Sequence, residues 1–168
     1  MKSPKRSKNY MTNCKRRGEW AELQFMARAA KHGLRITFPW GEMARYDVVV
    51  ESGGTFVRVQ VKSTAYKRPE GCYICGAHPS ARSEPYKRGD FDFLAAYVIP
   101  EDLWYIIPAK LIVNGKKTAI MLFTNTTASR WAPYKEAWDL LRNHRRRTTP
   151  KRGPDQSEEI VPNSDAVI

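Results

Sequence analysis

The segment from Arg45 to Thr64, RYDVVVESGGTFVRVQVKST, constrains the fold more than any other stretch of the chain. Two β-branched runs flank Gly53-Gly54, and strands joined by a two-glycine turn are a strong hairpin signal. With Gly53-Gly54 as the turn, Ser52 pairs with Thr55, Glu51 with Phe56 and Val49 with Arg58. The same register sets Asp47 directly opposite Gln60. Side chains alternate between the two faces of a strand, so Asp47, Gln60 and Lys62 share one face. Directly opposed residues bring their Cβ atoms to about 5 Å. An acid, an amide and an amine gathered in this way suit metal-dependent phosphodiester cleavage.

Around the hairpin, with strands over 46–51 and 55–62, the pattern predicts a helix over 16–31. At about 100° per residue, Leu23, Met26, Ala27 and Ala30 form its apolar stripe, with Gln24, Arg28 and Lys31 opposite. Glu19 falls within that stripe and Glu22 at its margin. Strands are expected over 34–38, 71–77, 93–99, 103–107 and 117–123. Short helices are expected over 108–113, where Pro108 suits a first turn, and over 133–144 through Tyr134, Ala137, Trp138 and Leu141. The order implies an α/β domain over 15–146, with a central mixed β-sheet flanked by helices. Residues 1–14 read as a mobile basic arm and 147–168 as a disordered tail.

The chain of 168 residues carries a net charge of +12 and has a pI near 9.8. That balance points to a polyanionic partner, most often nucleic acid. Residues 1–17 hold seven lysines and arginines and no acid, and Arg145-Arg146-Arg147 form a second cluster. No apolar run approaches the roughly 18 residues needed to span a membrane, and no apolar stretch follows the basic N-terminus, so a cytoplasmic protein is expected. Three cysteines, an odd number, do not form a disulfide framework. Cys72, Cys75 and His78 imitate half a zinc site, but no second pair at suitable spacing completes four ligands.

The bland alternatives differ from residue to residue. Asp47 could be a strand-edge acid paired with Arg45 or Arg58. Gln60 and Lys62 fit the polar face of a half-buried strand. Glu22, an acid at an apolar margin, needs a partner. A lysine beside a bound metal can orient water and stabilise a pentavalent phosphate. Arg45, Lys67, Arg68, Arg82, Lys87 and Arg88 lie in loops that can reach the site edge and hold phosphates. Tyr66, Tyr86 and Trp40 are expected to fill loop cores in preference to stacking on bases.

Glu22 on a first helix, then Asp47, then Gln60-Val61-Lys62 resembles the PD-(D/E)XK nuclease superfamily. It most resembles the branch of homing endonucleases encoded in group I introns, which carries Gln-x-Lys where most relatives have Asp/Glu-x-Lys. It is also similar to archaeal Holliday-junction resolvases. The resemblance covers roughly residues 15–110 and implies a restriction-endonuclease-like core that cuts double-stranded DNA with Mg²⁺ or Mn²⁺. It implies a metal held by Asp47, Glu22 and the carbonyl of Val61, with Lys62 serving the nucleophile and Gln60 completing the catalytic set. Tyr46 stands where the superfamily's name has proline. Gln60 motivates a non-catalytic DNA-binding protein as a first alternative, and a branch-selective resolvase is a second. Cutting two strands favours a homodimer or higher homo-oligomer, for which segment 108–113 and an exposed Trp131, Tyr134 and Trp138 offer an interface.

Overall fold

Gly53 and Gly54 both adopt positive φ, 56° and 76°, the backbone a tight two-residue hairpin turn requires. They join β2 (Val48–Ser52) to β3 (Thr55–Thr64) in the expected register, with Val48 opposite Val59 and Val49 opposite Arg58. The computed structural model describes residues 13–41, 43–78, 84–113 and 119–142. Helix α1 (Cys14–Lys31) and strand β1 (Arg35–Thr37) precede the hairpin. It is followed by β4 (Tyr73–Gly76), β5 (Phe93–Val98), β6 (Leu103–Pro108), β7 (Ala119–Leu122) and α2 (Asp139–Arg142).

The central sheet runs β1-β2-β3-β5-β6, while β4 and β7 form a separate antiparallel pair. β3 and β5 are parallel and the other neighbours antiparallel, so the sheet is mixed as expected. β5 is buried along its whole length. Phe93, Ala95 and Tyr97 join one core with α1 and α2, and Leu94, Ala96 and Val98 join a second core with β4 and β7. This three-layer arrangement explains why FLAAYV reads as a continuous apolar run rather than an alternating one.

Helix α1 begins earlier than expected. Asn13 caps it by accepting the Arg16 N–H at 3.1 Å, so the basic arm loses its last residues to the domain. The remainder of that arm, 1–12, and residues 143–168 lie outside the described residues.

The buried face of α1 differs from the predicted stripe. It consists of Ala21, Phe25 and Ala29, whereas Leu23 is 59% exposed and Glu19, Ala27 and Ala30 are also exposed. The alanines one turn either side of Phe25 let the helix approach the sheet closely. The Phe25 ring then packs 5.5 Å from both Trp104 and Trp138.

The helix expected over 133–144 is interrupted. Ala132–Tyr134 form a single 3₁₀ turn, Glu136 has a φ of 49°, and only α2 is helical among the described residues beyond it. Tertiary hydrogen bonds outweigh helical propensity here. Glu136 N–H donates to the Trp104 carbonyl at 2.8 Å, and its carboxylate accepts Trp104 N–H at 2.7 Å and Trp138 Nε1–H at 2.8 Å. Trp131 and Trp138 are buried in the two cores, at 5% and 1% exposure, and are not the exposed residues the sequence suggested. Residues 109–111 make one 3₁₀ turn rather than a helix over 108–113.

Removing the Glu136 carboxylate strands two donors on buried tryptophan residues. Each such orphan costs about 1–3 kcal/mol. Glu136→Ala is expected to lower unfolding free energy by about 2–4 kcal/mol in urea titrations.

Candidate active site

The β2–β3 ladder ends at Val48 opposite Val59, and Asp47, just before β2, donates its N–H to the Val59 carbonyl at 3.0 Å, one residue out of that register. From there the Asp47 carboxylate reaches onto β3. Asp47 Oδ2 accepts Val61 N–H at 2.6 Å and also accepts a hydrogen bond from Gln60 Nε2. Gln60 is only 6% exposed, so its amide belongs to the site interior rather than to a polar outer face. Lys62 is half-buried two residues on.

Glu22, half-buried on α1, comes close enough for charge interactions with Asp47 and Lys62. Burial, followed by the charges of Asp47 and Glu19, pushes its pKa from 4.5 to about 7, against a pull from Lys62. Burial also raises Asp47, while the Val61 N–H, Lys62 and Gln60 each favour its charged form. The site thus brings together Glu22, Asp47, Gln60, Val61 and Lys62 from α1 and the hairpin.

Burial is the main reason both carboxylates are elevated; the Asp47 charge adds to the rise at Glu22, and Lys62 draws both back down. Their oxygens, with the Gln60 amide oxygen and Val61 carbonyl, are hard donors of the kind Mg²⁺ and Mn²⁺ take. The donor chemistry therefore fits a divalent cation. Among the described residues, no group of three or more His, Cys, Asp or Glu side chains is arranged to hold one, so a cation here would rely on neutral oxygens beyond the two acids.

The two arginines offered as simple partners of Asp47 are engaged elsewhere. Arg45 Nε donates to Asp90 at 3.2 Å, and its Nη2 donates to the carbonyls of Glu84 and Pro85. Arg58 meets Asp92 side-on: Nε donates to Oδ2 at 3.2 Å and Nη2 to Oδ1 at 3.1 Å, while the Arg58 backbone N–H donates to Oδ2 at 2.8 Å. Among the other expected phosphate ligands, Lys67 pairs with Glu101 at 3.4 Å and Lys87 with Glu84 at 2.7 Å. Arg68 and Arg88 are exposed, and Arg82 lies outside the described residues.

Trp40 and Tyr66 are exposed rather than filling loop cores. Tyr86 does fill one, edge-on to Phe91 at 4.9 Å. Sequence reasoning missed that Tyr86 also borders the site, with Lys62 Nζ 5.8 Å from its ring centroid. Only its position in a basic loop hinted at this. Cys75 is fully buried, its thiol pushed to about 12 by burial, and it belongs to the second core rather than to a metal site.

Residues 12–141 match the family model described as PD-(D/E)XK endonuclease. The solved structure of a bacterial homing endonuclease, I-Ssp6803I, is similar at a TM-score of 0.67 and 30% sequence identity. That match covers 77% of this chain and 93% of the other. No curated protein matches the chain.

Because Glu22 takes up protons more readily when folded, its contribution to stability is complete below pH 4.5 and is lost as pH rises through about 7. Glu22→Gln is expected to gain stability relative to the native protein across that window. The gain should reach about 1–2 kcal/mol above pH 7, allowing for solvent screening of a half-exposed group. Urea titrations at pH 4.5 and pH 8 measure the difference.

Proposed function

This chain belongs to the PD-(D/E)XK endonuclease family, and from that membership we propose that it cuts double-stranded DNA by divalent-metal-dependent phosphodiester hydrolysis. The observation that carries the reading is the Asp47 carboxylate, anchored by the Val61 N–H and Gln60 beside an elevated Glu22. Asp47, Glu22 and the Val61 carbonyl would hold Mg²⁺ or Mn²⁺. When bound, such an ion supplies a Lewis acid for the phosphoryl oxygen and lowers the pKa of an attacking water. Gln60 keeps the Asp47 carboxylate turned toward β3. Lys62 directs N–H donors at the nucleophilic water and at the charge that develops on the phosphate. Likeness to a homing endonuclease supports a role of that type, and cleavage of both strands calls for a homodimer or higher assembly.

The DNA backbone would continue from Lys62 into a cleft of about 750 Å³ lined by Arg17, Ser63, Thr64, Tyr66, Lys67 and Arg68. Phosphate contacts of this sort give affinity without sequence discrimination. Arg45, paired with Asp90, and Lys87, paired with Glu84, do not line this cleft. A catalytically silent DNA-binding protein is the second reading, favoured by the neutral amide at Gln60.

In a supercoiled-plasmid nicking assay, Mg²⁺- or Mn²⁺-dependent cutting is expected, with Asp47→Ala and Lys62→Ala each losing at least about 100-fold. DNA binding that stays intact without cutting in either metal selects the silent reading. Independently of turnover, Mn²⁺ is expected to raise the thermal midpoint of the native protein and not that of Asp47→Ala. Arg68→Ala should reduce the salt slope of DNA binding by about 1, whereas Arg45→Ala should leave it unchanged.

A further inference from the structure

We propose that Tyr86 is a positioning residue for Lys62, and that Arg45 and Asp90 clamp the loop that presents it. The inference rests on the proposed role of Lys62 and deepens it.

A lysine side chain has four rotatable carbons, so its ammonium goes where its surroundings put it. The aromatic face bordering this ammonium is Tyr86, whose ring centroid is 5.8 Å from Lys62 Nζ, within the range of a cation–π attraction. Burial raises the pKa of the Tyr86 phenol, while Lys62 draws it down by charge and hydrogen bonding, which places the two groups in one environment.

The ring is itself held. Phe91 meets it nearly perpendicularly, at 84°. The Arg45 guanidinium lies 5.3 Å from its centroid. Arg45 donates to the carbonyls of Glu84 and Pro85 at 2.7 and 3.0 Å, immediately before Tyr86 in the chain. Asp90 receives Arg45 Nε and also the Lys87 backbone N–H at 2.8 Å, immediately after it. Tyr86 is therefore bracketed by bonds on both sides. Arg45 serves this arch rather than DNA.

The test has two arms. In metal-free protein labelled at lysine, the Lys62 Hε resonance, identified by its absence in Lys62→Met, should be shifted upfield by the ring. The shift should persist in Tyr86→Phe, vanish in Tyr86→Leu and diminish in Asp90→Asn. A Lys62 resonance at its ordinary position in the native protein overturns the inference. In nicking kinetics, Tyr86→Leu should lower kcat by about 10- to 100-fold with KM unchanged, and Tyr86→Phe should recover most of it. In a Lys62→Met background, Tyr86→Leu should cost nothing more. Full additivity of the two substitutions sinks the positioning role. If the native protein does not cut, the catalytic reading fails, and the resonance arm still decides whether Tyr86 places Lys62.

Discussion

The Asp47 carboxylate accepts two N–H groups from β3, and the rest of the candidate site is arranged around that anchor. A carboxylate buried at the end of a sheet is costly unless its lone pairs are occupied. Here the backbone N–H of Val61 and the Gln60 amide both donate to Oδ2. The neutral amide thus has a physical reason. A glutamate at position 60 has no N–H to offer Asp47, and it would add a third carboxylate to a site served by one ammonium. Gln60 adds no further charge to the repulsion between Asp47 and Glu22, which comes after burial in raising Glu22.

The same economy of charge recurs at the rim. Asp90 and Asp92 come from one short segment and engage Arg45 and Arg58. Each pair ties a hairpin arginine to the approach to β5, and β5 is the strand beside β3. Each pair is only partly exposed, so it lies between a weak surface contact and a costly buried one. Their contribution is geometric, since they hold the loop containing Tyr86 and the start of β5 against the hairpin. Support of this kind beneath a reactive constellation keeps its members at fixed separations.

Much of the candidate site was legible before any coordinates. The strand register follows from the turn, and the turn from two adjacent glycines. Asp47, Gln60 and Lys62 could therefore be placed by counting. Glu22 was legible as an acid at the edge of an apolar helix, although the stripe assigned to that helix was wrong. Tyr86 and the clamp around it were not legible, because their contacts join loop residues roughly 40 positions apart with no periodicity to register them. The basic residues misled for a related reason. Charge in a loop marks affinity for an anion without saying whether a protein carboxylate or a phosphate supplies it.

The sequence by itself determined the hairpin, its register and the convergence of an acid, an amide and an amine, because turn geometry and the two-residue period of a strand are local. The tertiary structure decided which face of α1 is buried, since only the opposing sheet reveals that alanines flanking Phe25 permit closer approach than larger side chains. It also decided where the C-terminal helix breaks, since the Glu136 hydrogen bonds depend on the edge of β6 at Trp104. And it decided which arginines are already spent on neighbouring acids. Local periodicity carries no information about partners that only chain folding brings within reach.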